Sequence, residues 1–379
     1  MKNKFVIFIS VMLGFFVMGT VDLAGVATNY IKDDFQLGNL ATAVIPMMVF
    51  FWFAVISIPT GVLMSRIGQK KTVLIAIALG IVSVVLPCVS YNFYAAITAF
   101  SLLGVSNTIL QVSLNPLVSG IVAENKLAST LTFGQFIKAV ASFLGPIVAG
   151  IGVTYFGEWR FVFVVYAAVS VLSLVLLCSI HVEKSNNEPA TFGKTAAMLK
   201  DGFVFQLFIG ILLIVGIDVC MNVYTPQLLK FRLGASTGAA ALGSSLYFGA
   251  RTLGAFLGAF FLIKIKPAKY QFFNMLASVV AFLMLIFASQ QWLLLAGIFL
   301  VGFSCANVFS IIFTIALQYK PKLTNEISAL MIMGVAGGAV VSPIIGAVIN
   351  ISNVSLSFVV LLLCVVYLLL LSRKLLKNV

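Results

Sequence analysis

Four ionisable residues sit deep inside long apolar runs: Asp22, Lys138, Asp218 and Arg251. An isolated charge at the centre of a bilayer costs roughly 2.5–3.5 kcal/mol on insertion scales, so such residues are retained for a use. Each half of the chain holds one acid and one base. Two chemistries fit. The charges can pair within each half and hold helices in register. Alternatively they face a wet interior, where Lys138 and Arg251 contact an anionic group and Asp22 and Asp218 carry a proton. An Arg fork suits a carboxylate, and the proton affinity of a carboxyl group is set by burial and by nearby cations.

Neutral polar residues extend the pattern. Gln111 and Asn115 share one helix face at i and i+4, and Asn107 adds a further turn to that stripe. Gln135 precedes Lys138 by three residues, Asn222 follows Asp218 by four, and Asn307 lies with Ser310 in another apolar run. Amides of this kind supply donors and acceptors to a hydroxyl-rich ligand. Tyr247, Tyr224 and Trp52 are candidates to stack on a ring face, a role with which core packing and lipid contact compete at each. Gly145-Pro146 and the stretch Gly334 to Gly338 read as places of close packing and bending.

The elements that must position these groups are membrane helices. Of the 379 residues, 62% are apolar and 9% charged, with 34 Phe; a soluble domain carries about 25% charged residues. A spanning helix needs about 20 apolar residues. Runs near 5–30, 40–64, 72–90, 93–121, 128–154, 159–181, 204–230, 236–263, 270–288, 292–318, 324–350 and 355–371 meet that need. They are helices because hydrocarbon offers no partner to free backbone groups, and they are too long for barrel strands. The apolar start resembles a leader peptide, but it runs on without a cleavage-like site and reads as the first span.

The net charge of +13 could suggest nucleic acid. Its distribution predicts topology instead. Of the 23 Lys and Arg, only Lys32, Arg160, Lys230 and Arg232 fall in loops on one side, and Lys138 and Arg251 are embedded. All the others gather on the opposite side, which places both termini in the cytoplasm and requires an even number of spans. The polar stretch His181 to Lys200 leaves six spans on each side. The expected organisation is a six-helix bundle over 1–182, a cytoplasmic linker over 183–203 and a second bundle over 204–379. The halves echo each other. Gly19-Thr20-Val21-Asp22 matches Gly216-Ile217-Asp218, and Gly61 before Arg66, Lys70 and Lys71 matches Gly258 before Lys264, Lys266 and Lys269. Asn107 likewise matches Asn307. Duplicated halves around a midplane site are a transporter signature.

Enzyme chemistry has no foothold. The sequence holds no metal-type cluster, no phosphate loop and no nucleophile–His pair, so neither cofactor nor metal is expected. Its five Cys are dispersed through apolar runs, and its one His, His181, sits at the edge of such a run.

The segment Gly61-Val62-Leu63-Met64-Ser65-Arg66-Ile67-Gly68-Gln69-Lys70-Lys71 resembles the signature loop of the major facilitator superfamily, G-x-L-x-D-R-x-G-R-K. Gly61, Arg66, Gly68 and Lys70 then become the expected conformational-switch loop, with Ser65 where the family carries Asp. Ile58 to Met64, Leu114-Asn115-Pro116, Ser245 to Gly249, Ser310 to Thr314 and Ser328 to Val341 are similar to the fucose and glucose/galactose proton symporters within that superfamily. Several positions depart from those symporters. Gln111 stands where they have a Glu implicated in proton coupling. Gly25 aligns with their span-one Asp, Lys138 with an Asn and Ala255 with an Arg. Asp22 and Arg251 each lie about one turn from such a position.

The resemblance implies an all-α protein of two pseudo-symmetric six-helix bundles, monomeric and multi-pass in the cell inner membrane. It implies a secondary active transporter working by alternating access, which imports a monosaccharide or sugar acid together with protons. The expected substrate contacts are Lys138, Gln135, Gln111, Asn115, Asn107, Arg251, Asn222, Asn307 and Tyr247, and the expected proton carriers are Asp22 and Asp218. Export of a drug or metabolite by proton antiport is the alternative, and uncoupled facilitation survives because Gln111 cannot ionise.

Overall fold

The computed structural model describes residues 4–37, 39–180, 191–234 and 237–378. His181 and the expected linker as far as residue 190 lie outside the described residues, as do the side chains of Lys32 and Lys377. Among the described residues twelve helices are long and apolar enough to cross a membrane. They are Val6–Thr28, Met47–Ile67, Gln69–Val89, Phe93–Ser119, Glu124–Phe156 and Phe161–Ser179, followed by Gly202–Leu233, Gly243–Lys264, Pro267–Phe287, Gln291–Tyr319, Pro321–Ile351 and Val354–Leu376. We number them spans 1 to 12. Each expected run corresponds to one of them. The rest of the linker forms a short helix, Phe192–Ala197, and a 3-10 turn, Met198–Lys200. Asp201 then caps span 7, accepting from the backbone N–H of Phe203 at 3.0 Å and Val204 at 3.3 Å.

Several spans are interrupted. Span 1 breaks at a 3-10 turn, Gly19–Asp22, and span 11 at another, Gly334–Ala336. Span 10 is broken between Cys305 and Val308. A break removes carbonyls from the helical ladder, and in an apolar interior each freed carbonyl needs another donor. Asn107 of span 4 meets that need in span 1, donating from Nδ2 to the Met18 carbonyl at 2.8 Å.

The chain divides into two compact units. The first holds residues Met1–Ala123, Gly134–Ala197 and Lys320–Met333. In it the first part of span 11 packs on spans 2 and 4. A Cβ added to Gly61 would lie 2.6 Å from the Ala329 Cβ, and Ser328 Oγ donates to the Val112 carbonyl at 2.6 Å. The second unit holds Glu124–Phe133, Met198–Tyr319 and Gly334–Val379. Here the start of span 5 packs on span 8, with Ser129 Oγ donating to the Ala259 carbonyl at 2.6 Å and Ala128 clustered with Leu262, Tyr270 and Ile311. Each unit thus contains a segment from the opposite half of the sequence.

The internal echo has a packing counterpart. Gly19 of span 1 lies on span 5, where an added Cβ would meet the Ala141 Cβ at 2.6 Å and the Lys138 carbonyl at 2.7 Å. Gly216 of span 7 lies in the same way on span 11, against Val341 and Gly337. Small residues let two backbones approach where lipid supplies no hydrophobic drive between helices.

Candidate functional site

In the first unit the turn after Gly19 presents Asp22, which is exposed. Its carboxylate accepts a hydrogen bond from Ser142 Oγ of span 5. Ser142 also lies 3.0 Å from the Lys138 carbonyl, one helical turn earlier. Lys138 and Gln135 are half-buried on that stretch of span 5. The structure therefore gathers the Asp22 carboxylate and the Lys138 backbone carbonyl about one hydroxyl.

The amide stripe of span 4 lies behind this turn. Asn107, Gln111 and Asn115 are 2%, 5% and 1% exposed. Gln111 Nε2 donates to Asn107 Oδ1 at 2.8 Å, and Asn115 Nδ2 donates to the Gln111 carbonyl at 3.0 Å. Together with the Asn107 bond to Met18 these form one buried chain ending on the break in span 1. Such a chain satisfies polar groups that would otherwise be costly to bury.

In the second unit Asp218 of span 7 pairs with Arg251 of span 8, Oδ2 to Nη2 at 2.7 Å. Tyr247, one turn before Arg251, donates its hydroxyl to Asp218 Oδ1. Tyr247 is 0% exposed and edge-on to Phe248, 5.3 Å between centroids, so its ring faces are covered by protein. Asn222, one turn beyond Asp218, is exposed, and its carbonyl accepts from Ser244 Oγ at 2.7 Å. Asn307 lies apart from this group, 1% exposed at the break in span 10, donating to the Gly254 carbonyl at 3.0 Å and to Tyr270 Oη at 3.2 Å. Of the other aromatics, Trp52 Nε1 donates to Ser101 Oγ at 2.8 Å and Tyr224 Oη donates to the Ser342 carbonyl at 2.9 Å.

The loop between spans 2 and 3 is held by local chemistry. Gly68 has φ +89°, a conformation that needs glycine. Lys70 Nζ donates to the Cys178 and Ile180 carbonyls at 3.0 and 2.6 Å, tying the start of span 3 to the end of span 6. Ser65, at the family's Asp position, returns its hydroxyl to the Val62 carbonyl of its own helix at 2.8 Å. Arg66 is exposed.

At the far end of the first unit Asp34 accepts from Tyr91 Oη and, at 3.0 Å, from Trp159 Nε1. The Arg160 guanidinium lies 4.2 Å from the Tyr91 ring centroid and pairs with Glu158. Burial and the Asp34 carboxylate push the Tyr91 phenol up, while the Arg160 hydrogen bond holds the Glu158 carboxyl down.

Two residues escaped the reading of the sequence. Ser142 was legible only as a hydroxyl four residues after Lys138. Glu326 stood near the start of an apolar run, where interfacial charge is ordinary, yet it is 0% exposed in the part of span 11 that packs on spans 2 and 4. No group of three or more His, Cys, Asp or Glu able to hold a metal occurs among the described residues.

Twelve membrane-length helices, glycine crossings repeated in both halves and charges held in mid-span define a multi-pass membrane protein of the transporter kind. Residues 6–321 match the Major Facilitator Superfamily, and the chain belongs to it. A glucose/galactose transporter of Brucella abortus is 25% identical over 97% of this chain and 93% of its own. A putative glucose/galactose transporter of Helicobacter pylori is 26% identical over 95% and 94%. Among solved structures, the superfamily transporter FucP in its outward conformation aligns at a TM-score of 0.88 and 17% identity, covering 98% of this chain and 99% of that one. At that identity the likeness shows a shared fold.

Proposed function

We propose that the protein is a secondary active transporter of a neutral monosaccharide, taken up with protons by alternating access, with Asp22 carrying the proton. The observation that carries this reading is the ion pair that already occupies the embedded Arg251. Arg251 is met by Asp218 at 2.7 Å. Lys138 shares its stretch of span 5 with the Ser142 hydroxyl that holds Asp22. With its guanidinium already matched by a carboxylate, Arg251 suits hydroxyls better than a second acid, and a neutral hexose avoids the cost of burying an unmatched charge. The names of the glucose/galactose relatives support the same substrate class. Exposed or half-buried groups, namely Lys138, Gln135, Arg251 and Asn222, would meet sugar hydroxyls. The buried Asn107, Gln111, Asn115, Asn307 and Tyr247 would hold the helices that present them. Asp218 is assigned to pairing, and Gly61, Arg66, Gly68 and Lys70 to the conformational switch. The two sequence halves, 1–182 and 204–379, are the moving bundles of a monomer, with both termini cytoplasmic in the cell inner membrane.

The test is uptake by proteoliposomes of labelled glucose and galactose, with and without an inside-alkaline pH gradient, against glucuronate as competitor. Accumulation of hexose only with the gradient, indifferent to glucuronate, is the expected result. Preference for the sugar acid would replace the neutral substrate, equilibration without accumulation would make the protein a facilitator, and extrusion of lipophilic cations without hexose uptake would make it a drug exporter.

A further inference from the structure

We infer that Ser142 is a positioning residue that reads the protonation state of Asp22 and passes it to span 5; this rests on Asp22 being the proton carrier. The argument is a proton count. A serine hydroxyl has one hydrogen to donate, while Ser142 Oγ stands within reach of two acceptors, the Asp22 carboxylate and the Lys138 carbonyl at 3.0 Å. With Asp22 ionised, the hydrogen goes to the carboxylate, as a charged acceptor makes the stronger bond. When Asp22 takes up one proton, the carboxyl O–H donates to Ser142 Oγ and the serine hydrogen turns to the Lys138 carbonyl. One proton is bound, one hydrogen bond reverses and one forms; no other bond changes.

The consequence is mechanical. A serine bonded to the carbonyl four residues back bends its helix slightly. The carbonyl concerned is the one on which Gly19 rests, where an added Cβ would come within 2.7 Å. Gly19 and Asp22 belong to one 3-10 turn of span 1. Protonation on span 1 therefore returns to span 1 as an altered contact through span 5, in the turn that carries Lys138. The charged or titratable neighbours are Lys138 on span 5 and Tyr166 on span 6, whose hydroxyl donates to the Ala141 carbonyl. Among the described side chains, the others on the segments packed against this turn, Tyr30, Asp33, Asp34 and Tyr94, lie two or more helical turns away in sequence or at the end of span 4.

The experiment compares the pH profiles of hexose accumulation for the wild type, Asp22→Asn, Ser142→Ala and Ser142→Thr in proteoliposomes. Loss of the donor disfavours the ionised carboxylate, so Ser142→Ala moves the midpoint to higher pH by about one unit. Ser142→Thr, which keeps the hydroxyl, restores it. Should Ser142→Ala fail to fold, Ser142→Cys supplies an isosteric, weakly donating replacement with the same expected direction. A wild-type midpoint in Ser142→Ala or Ser142→Cys, with Asp22→Asn uncoupled, would overturn the role of Ser142 and leave Asp22 in place. Proton-driven accumulation surviving in Asp22→Asn would instead remove Asp22 as the carrier, and this inference with it.

Discussion

Asp22 and Asp218 stand in comparable turns of spans 1 and 7, each following a glycine that rests on the fifth helix of its half. Their surroundings differ. Asp218 is 12% exposed, paired with Arg251 and bonded by the buried Tyr247. Asp22 is exposed and accepts from one serine hydroxyl. An acid neutralised by a guanidinium holds two helices together, because its charge is compensated only while they stay in place. An acid on a hydroxyl can gain or lose a proton without breaking an ion pair. Two similar positions thus have different partners, a base on span 8 for Asp218 and a serine on span 5 for Asp22.

Several substitutions break or sharpen that contrast. The largest effect on stability is expected for Asp218→Asn, which leaves Arg251 without its counter-charge. Loss of one partner from a buried pair costs about 3–5 kcal/mol. Arg251 is 31% exposed, so water relieves part of this, and about 2–3 kcal/mol in thermal melting of the solubilised protein is the expected outcome. The double variant Asp218→Asn with Arg251→Gln should recover most of it; equal melting of single and double variants would refute a holding role for the pair.

Next comes the glycine beneath each acid. Overpacking costs about 1–3 kcal/mol, and Gly19→Ala should cost more than Gly216→Ala. One clash at Gly19 is with the Lys138 backbone carbonyl at 2.7 Å, whereas the nearest obstacle at Gly216 is the Val341 side chain. The reverse order in melting temperature would mean that span 1 yields more easily than span 7.

Tyr247→Phe removes one bond to a charged acceptor, and about 1.5 kcal/mol is expected in the same assay. Asp22→Asn should cost less than about 0.5 kcal/mol, since it breaks no ion pair shown at Asp22, yet abolish accumulation of substrate against its gradient. Similar destabilisation by Asp22→Asn and Asp218→Asn would erase the distinction.

The Glu158–Arg160 pair at the end of the first unit also has a small effect on stability. Its carboxyl is held below its ordinary value by Arg160. A lowered folded value contributes stability above the unfolded value and loses it as pH falls through the folded one. With Glu158 42% exposed, the contribution is under about 1 kcal/mol. Melting of Glu158→Gln should therefore differ slightly from wild type near neutral pH and converge with it on acidification.

Much of the arrangement was legible in the residues. The Asn107–Gln111–Asn115 stripe follows from helical spacing alone, and the echo of Gly19 and Gly216 showed the two halves as repeats, though not that these glycines sit at helix crossings. What spacing left open was which way each polar group turns. By sequence Tyr247 is a candidate stacking residue with which core packing competes, and its burial against Asp218 depends on the rotation of span 8 about its axis. Glu326 illustrates the same limit: its place near a helix start suggests water, while packing on two other spans encloses it.

By itself the sequence determined the twelve spans, the class of protein and the presence of four embedded charges. These follow from local free energies, since a run of apolar residues partitions into hydrocarbon whatever its neighbours, and a charge within it carries its cost along. Only the tertiary structure decided that Arg251 would meet Asp218, that Asp22 would meet a serine, and that the first turns of spans 5 and 11 would pack with the opposite half of the chain. Partners distant in sequence are chosen by helix rotation and close glycine contact, quantities that exist only once the helices are packed together.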